Sequence, residues 1–378
     1  MGLFDIPARA PGECIINIGS GEITDLYPFL IEVAVDTSRL EFTEAVLKFE
    51  TRRDVDGTWI IHDDPRIRPW APILIEAAFG DTTEEVMRGY IRQIDVEFPE
   101  EPGSATVTVT VQDDSLLLDR LHRTDTWGEE GARVSDADIL ERMLFEVNRS
   151  LANGVSDGQS DLILEQDETD ASFLKKRAEA NGYEYYFREG ELYFGPRRLA
   201  LTPQDPIMVY AGPSTNALSF SVKDDGHQPD GARFDIAAEE GEENAGEDLR
   251  PDLPLLGPEA ASSVEQVDDR FVWRIQREGD TTEDSARARA QAKVNDASFK
   301  VKATGAVDGA RYGHVMLVGK PVYVDGVGDR HAGKWYVDVV NHRFDLSGYR
   351  QEFEISRNAY GDNVPPGIGP NAGPLGGL

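Results

Sequence analysis

The 378-residue sequence is short of cysteine, of positive charge and of long apolar runs, and each shortage removes a class of function. The single cysteine, Cys14, excludes a disulfide framework and a cysteine-built zinc site. Lys and Arg number 38 against 70 Asp and Glu, a formal net charge of −32. Ordinary DNA binding, which clusters Lys and Arg on phosphates, is excluded by that balance. No apolar stretch approaches the roughly 18 residues that a membrane helix needs. The start, MGLFDIPARAPGECIINIGS, has no basic segment followed by an apolar one, so no secretory signal is expected. The six histidines (His62, His122, His227, His314, His331, His342) are scattered without HExxH or His-x-His spacing. GxSxG, P-loop and strand–GxGxxG–helix patterns are absent too. What is present is 40% hydrophobic residues with 9% aromatics, enough for packed cores in two or three domains. The composition predicts a soluble, strongly anionic chain made in the cytoplasm.

The first 116 residues read as all-β. Alternation recurs in Phe29–Val35, Phe42–Phe49, Ile73–Phe79, Tyr90–Phe98 and Ala105–Val111, with turn residues between. In ATVTVTVQ, Val107, Val109 and Val111 share one face and Thr106, Thr108 and Thr110 the other, a half-buried antiparallel strand. Strands this short and evenly spaced predict a small barrel or sandwich.

Residues 117–200 read as an α+β domain. Ile139, Leu140, Met143, Leu144 and Val147 form a helical stripe behind a capping-box start at Ser135 and Asp138. A second helix is expected in ETDASFLKKRAEANG, capped by Thr169 or Asp170, lined by Phe173, Leu174 and Ala178, and stopped at Asn181-Gly182. YEYYFREGELYFGP then predicts an aromatic hairpin turning at Gly190. Its aromatics at strand spacing (Tyr183, Tyr185, Tyr186, Phe187, Tyr193, Phe194) read as hairpin core in preference to a sugar platform.

Residues 201–360 read as a second β-barrel. It carries an acidic loop at 224–268, in which DIAAEEGEENAGED has seven acids and no base, and a helix at 282–297 with Ala286, Ala290 and Val294 on one face. The last two strands are joined through Leu346-Ser347-Gly348 as a hairpin. The end, 361–378, is a flexible Gly/Pro-rich tail. Asp54-Val-Asp56-Gly57 resembles the start of a calcium loop but lacks its later acids, so a hairpin turn is expected there. His342, inside a strand, reads as a hydrogen-bonded structural residue. No catalytic, cofactor-binding or metal-ligating set emerges, so neither an enzyme nor a cofactor is expected.

Two stretches resemble a known family. ETDASFLKKRAEANGYEYYFREGELYFGP (168–196), with Phe173, Leu174, Gly182 and Tyr183, is similar to the helix and aromatic hairpin of phage late control D proteins and of the hub part of VgrG proteins. KPVYVDGVGDRHAGKWYVDVVNHRFDLSGYRQEFEISRN (320–358) resembles the family's closing pattern, filled by Tyr336, Val337, Val340, His342, Gly348, Tyr349 and Arg357. Arg350 or Gln351 stands where Thr is usual, and Lys320-Pro321 replaces the usual Pro-Gly. FGDTTEEVMRGYIRQIDVEF (79–98) adds a third, looser likeness.

The resemblance implies a baseplate hub in a phage-like contractile tail, assembled in the host cytoplasm. It implies a mainly β chain, with two tube-protein-like β-barrels around the α+β insertion, closing as a homotrimer. Its partners would be the hexameric tail tube protein above and a separate central spike below, with tape-measure and baseplate wedge proteins further out. DNA would pass through an acidic conduit without being bound, and no membrane is involved. Val364, Ile368 and Leu375 of the tail are the expected spike contacts. A carboxylate-based cell-wall hydrolase and a β-rich adhesin remain as alternatives.

Overall fold

A computed structural model describes residues 13–101, 103–235, 246–261, 271–276 and 283–365. The N-terminal strands are β1 (Glu13–Ile18), β2 (Gly21–Glu22), β3 (Leu30–Ser38), β4 (Glu44–Glu50), β5 (Pro72–Phe79), β6 (Thr82–Glu97) and β7 (Thr106–Asp113). The period-two pattern does what it predicts. Val107, Val109 and Val111 of β7 lie opposite Phe49, Leu47 and Ala45 of β4, all buried, while the threonines between them face outward.

The middle of the chain folds as α1 (Ser115–Leu118), β8 (His122–Trp127), α2 (Asp136–Glu146), β9 (Ser150–Leu151), β10 (Leu164–Thr169), α3 (Asp170–Asn181), β11 (Glu184–Arg188) and β12 (Glu191–Gly195). The capping box forms: the Ser135 hydroxyl accepts from the Asp138 backbone N–H, and the Asp138 carboxylate accepts from that of Ser135. Thr169 caps α3, and Gly182 ends it in the left-handed conformation at φ +66°. A side chain at Gly182 would also collide with Ala292, its Cβ lying 2.1 Å from that of the alanine.

The C-terminal part comprises β13 (Gln204–Met208), β14 (Ala217–Asp224), β15 (Gly231–Asp235), β16 (Gly246–Leu249), β17 (Glu259–Ala260), β18 (Val272–Gln276), α4 (Glu283–Ala297), β19 (Val301–Asp308), α5 (Gly309–Tyr312), β20 (Pro321–Asp325), β21 (Gly333–Asp345), β22 (Gly348–Arg357) and β23 (Ala359–Tyr360). The stretch 224–268 is therefore not loop throughout. Its described flanks pair as β15–β16 and β17–β23, and Ala286, Ala290 and Val294 of α4 pack on Ala232 and Leu249. Residues 236–245 and 262–270 lie outside the described residues.

Thirteen strands of the two β-rich ends are hydrogen-bonded into one sheet, while β16-β15-β18 and β17-β23 form small sheets of their own. The path of the large sheet runs β14-β19-β22-β21-β3-β4-β7-β6-β5-β1-β2, with β20 paired to β21 and β13 to β20. The halves are welded where β21 pairs antiparallel with β3. The sheet curls around two cores. One gathers β1 and β3–β7 and borrows Val315, Phe344 and Tyr349 from the C-terminal half. The other is built on Val301, Val322, Trp335, Val337, Phe353 and Ile355. Where β13 and β14 leave a gap, the buried Asn216 amide bridges it, accepting from Met208 N and donating to Pro206 O. Among the described residues no helix is long and apolar enough to cross a membrane.

A third core lies between α2, α3 and the hairpin, uniting Ile139, Leu140, Met143, Leu144, Phe173, Leu174, Tyr185 and Phe194, with Phe187 at its edge. Leu174 is fully buried there. Leu174→Ala is expected to destabilise the protein by about 2–5 kcal/mol, the range for a buried Leu truncation. Thermal or urea unfolding measures it, and an unchanged midpoint would contradict this packing.

Candidate functional site: a polar junction between three cores

A cluster of charged side chains is assembled where three strands come together. Arg39 follows β3, Glu184 opens β11, and Tyr336 and Asp338 lie on β21. Arg39 is tied to both neighbours through its main chain. Its N–H donates to Asp338 O at 3.1 Å, and its carbonyl accepts from Tyr185 N at 3.1 Å. Its guanidinium pairs with the Asp338 carboxylate and approaches Glu184 Oε1 at 3.6 Å. Arg197, stacked 3.8 Å over the Phe299 ring, pairs with Asp296 at 2.8 Å and reaches Asp338 at 3.9 Å.

Glu184 is wholly enclosed. Its Oε2 accepts from the Tyr336 hydroxyl at 2.6 Å, whereas Oε1 has no hydrogen-bond partner. Burial pushes this carboxyl up to about 7, against the pull of Arg39 and Arg197. Burial also opposes the charge on Asp338, but there the same two arginines win and hold it below the usual carboxylate range. The junction thus keeps one carboxylate charged and leaves the other near its titration point at neutral pH. Beside it, a cleft of about 500 Å³ is lined by Arg39, Arg197, Lys223, Lys302, Asp338 and Glu354.

The family-signature residues hold joints in the structure. Phe173 and Leu174 are in the helix–hairpin core, and Tyr183 stacks edge-on to Phe194 and hydrogen-bonds Ser156 at 2.8 Å. The Tyr336 hydroxyl also accepts from Arg198 N at 3.0 Å, and Val337 is buried in the second core. His342 is buried, 2.8 Å from the Tyr349 hydroxyl, and burial drops its pKa to about 3, so it is a neutral structural imidazole. Tyr349 stacks face to face on Phe344 at 4.0 Å. Gly348, at φ +117°, makes the hairpin turn. Gln351, at the position where Thr is usual, is buried and bridges the loop before β20, donating to His314 O and accepting from Met316 N.

Arg357 is completely buried and donates to four carbonyls, those of His331, Ala332, Leu256 and Gly361. Burial lowers its pKa to about 10. This clamp corrects where the tail begins. Gly361 N donates to Arg330 O at 3.1 Å. The Asn363 side chain accepts from Lys334 N at 2.7 Å and donates to Leu256 O at 3.0 Å. Residues Gly361 to Asn363 are thus held by the chain itself, because one buried guanidinium and one amide satisfy backbone groups that would otherwise be exposed. Val364 is half-buried beside them, while Ile368 and Leu375 lie outside the described residues.

Sequence reasoning missed Arg39, Arg197, Glu184 and Asp338. The available signal was an acid inside an apolar strand, Glu184 in YEYYF and Asp338 in WYVDVV. The Asp54–Gly57 segment closes as a turn, Asp54 N bonding Thr58 O at 2.8 Å. Burial raises the Cys14 thiol to about 12, which makes it unreactive. Among the described residues no group of three or more His, Cys, Asp or Glu is arranged to hold a metal ion.

The fold is that of phage tail proteins. The 43 kDa tail protein of prophage MuSo2 from Shewanella oneidensis matches with a TM-score of 0.67 at 14% identity, over 92% of this chain and 98% of that one. The tail protein from Neisseria meningitidis MC58 matches at 0.63 and 13% identity, over 96% and 98%. An E. coli protein described as a component of the type VI secretion system, similar to T4 tail proteins gp27 and gp5, matches at 0.55 and 11% identity, over 94% and 80%. A family model described as the Alg8 N-terminal domain matches residues 13–345. No curated protein matches the sequence.

The raised Glu184 carboxyl sets a pH dependence. A folded pKa above the unfolded one stabilises the protein at low pH, and that contribution is lost as pH rises through about 7. His342 acts the other way over the same interval, its contribution growing as pH rises through about 6.5, so the Glu184 part is read as the difference in pH slope between wild type and the Gln variant. Between pH 6 and 8 the Glu184 contribution should fall by about 1 kcal/mol. Glu184→Gln should flatten the decline in melting temperature over that interval, and an unaltered slope would contradict the assignment.

Proposed function

The chain belongs to the family described as the Alg8 N-terminal domain, and from its tail-protein fold we propose that it is a structural baseplate hub. In this reading three copies close into a ring at the baseplate of a phage-like, contractile particle, of the late control D kind. The ring joins a hexameric tail tube to a separate central spike. The observation that carries the reading is the fold shared along nearly the whole length with the two tail proteins from Shewanella oneidensis prophage MuSo2 and Neisseria meningitidis. The role assigned is mechanical, with no catalytic step.

One feature of the sheet suits this role. One register row crosses both halves, through Ser219, Ala306, Glu352, Asn341, Asp36, Glu44, Gln112 and Tyr90, with Ala306 and Gln112 buried and the others at least partly open to solvent. A plate continuous across two halves offers each copy two similar wall segments, so three copies supply six and match a sixfold tube. In a C3 ring the contacts are heterologous and close after three steps. The acidic residues on this face would line a conduit through which DNA passes unbound, since like charge repels phosphate at short range.

Quantitative mass spectrometry or cryo-electron microscopy of intact particles should find three copies per tail end. Six copies, or two, would overturn the ring. Because Arg357 and Asn363 hold residues 361–363, the deletion that tests spike attachment removes 366–378 only. We expect a folded hub that co-purifies with less spike protein; unchanged co-purification would remove the tail from this role.

A further inference from the structure

On the far side of the aromatic hairpin lies a group of charges of the sign this chain is short of. We propose that Arg188, Arg198 and Lys320, gathered around Tyr186, form a binding site for an oxyanion, a phosphate or carboxylate that these residues are built to receive. The proposal does not depend on the tail reading.

The three cations come from separate segments: the end of β11, the stretch after β12 and the residue before β20. Each is held in place. The Arg188 guanidinium lies 5.3 Å from the centre of the Tyr186 ring and donates to Val318 O at 3.2 Å. The Arg198 guanidinium stacks 4.0 Å over Tyr193, lies 5.7 Å from Tyr186 and donates to the Tyr186 hydroxyl. Its Nε has no hydrogen-bond partner. Lys320 is fixed through its backbone, with its carbonyl accepting from Val337 N at 3.1 Å. The preceding Gly319, at φ +71°, is pressed so close to the Tyr186 phenol that a Cβ would stand 2.4 Å from its oxygen.

None of the three cations has a carboxylate within ion-pairing distance among the described residues, and two of the neighbouring acids, Glu84 and Glu85, are already engaged. Glu84 binds His314 Nδ1 at 2.6 Å and Val315 N at 2.7 Å. Glu85 holds Arg88 at 2.9 Å and Glu189 N at 3.1 Å. Glu189 itself is exposed at the hairpin turn. Aromatic faces attract cations but do not neutralise them. Burial, with the mutual repulsion of the cluster, lowers the proton affinity of both Lys320 and Arg188. Half-buried like charges are unfavourable without a counter-ion. A chain with 70 acids nevertheless leaves these three without a paired one. Two guanidinium forks and an ammonium form a donor set suited to oxyanions.

The test is thermal unfolding of the full chain in inorganic phosphate against chloride at matched ionic strength, with sedimentation velocity over a concentration series. A saturable, phosphate-specific rise in melting temperature that Lys320→Met loses and Lys320→Arg keeps would assign a free oxyanion. If phosphate has no effect but Lys320→Met weakens self-association at least tenfold, the oxyanion is a carboxylate of a second copy. Should Lys320→Met fail to fold by near-ultraviolet circular dichroism, Arg188→Gln is read in its place. Equal phosphate responses in wild type and variant, or no response with unchanged self-association, overturn the proposal.

Discussion

The architecture depends on Arg39. Its main chain is bonded on one side to Asp338 of β21 and on the other to Tyr185 of the hairpin, and its side chain reaches an acid in each. It extends the ladder in which Val33 to Ser38 pair with Phe344 to Val339, residues about 300 positions apart. Loop-closure entropy grows only logarithmically with separation, so distance adds little to the equilibrium penalty of this pairing. It does make the pairing late and slow, because non-local contacts follow local ones. Until it forms, the first core lacks Phe344 and Tyr349, which β21 and β22 contribute. The N-terminal half therefore completes its core only once the chain's last long hairpin has arrived.

The aromatic hairpin makes the third connection, by strand alternation alone. Tyr185 pairs with Phe194 and both face the helices, while the next pair, Tyr186 with Tyr193, faces the second β core. Two adjacent cross-strand pairs thus serve two cores, and neither face is wet. That explains why YEYYF is apolar on both sides, unlike the half-wetted ATVTVTVQ. Glu184 sits at the start of this strand, where the β sheet and the hairpin converge. It is enclosed because every direction around it is occupied by packed side chains.

What the sequence discloses follows how local each interaction is. Alternation in β7, the capping box at Ser135, the Thr169-to-Gly182 helix and the closing hairpin all rest on residues within about two dozen positions of each other, so spacing reveals them. The β3–β21 ladder leaves no such spacing. The acids of the junction were hidden by number, since a lone acid inside a strand conveys little in a chain with 70 of them. Arg39 reads simply as the end of a strand. The acidic stretch misled by composition: charge predicts solvation, and β15 and β16 form at its borders because Ala232 and Leu249 find a partner in α4, far along the chain. The tail was placed too early for a similar reason, the clamp being a buried arginine whose partners come from three separate segments.

Charge location, more than net charge, decides what the outward face of the sheet can do. Asp36 and Glu44 lie directly opposite each other across β3 and β4, an unfavourable like-charge pair taken alone. Each has its own arginine: Arg343 of the adjacent β21 meets Asp36 at 3.0 Å, and Arg92 reaches across β7 from β6 to meet Glu44 at 2.7 Å. The face is therefore compensated pair by pair, and the arginines act as cross-strand ties between β21, β3, β4 and β6. Paired charges have short-range fields, and at physiological salt even unpaired ones are screened within about 8 Å. At these pairs the wall carries no net charge and hardly acts on a polyanion at a distance. That pairing leaves the bulk of the −32 charge to act elsewhere on the chain, where like charge keeps molecules in solution apart.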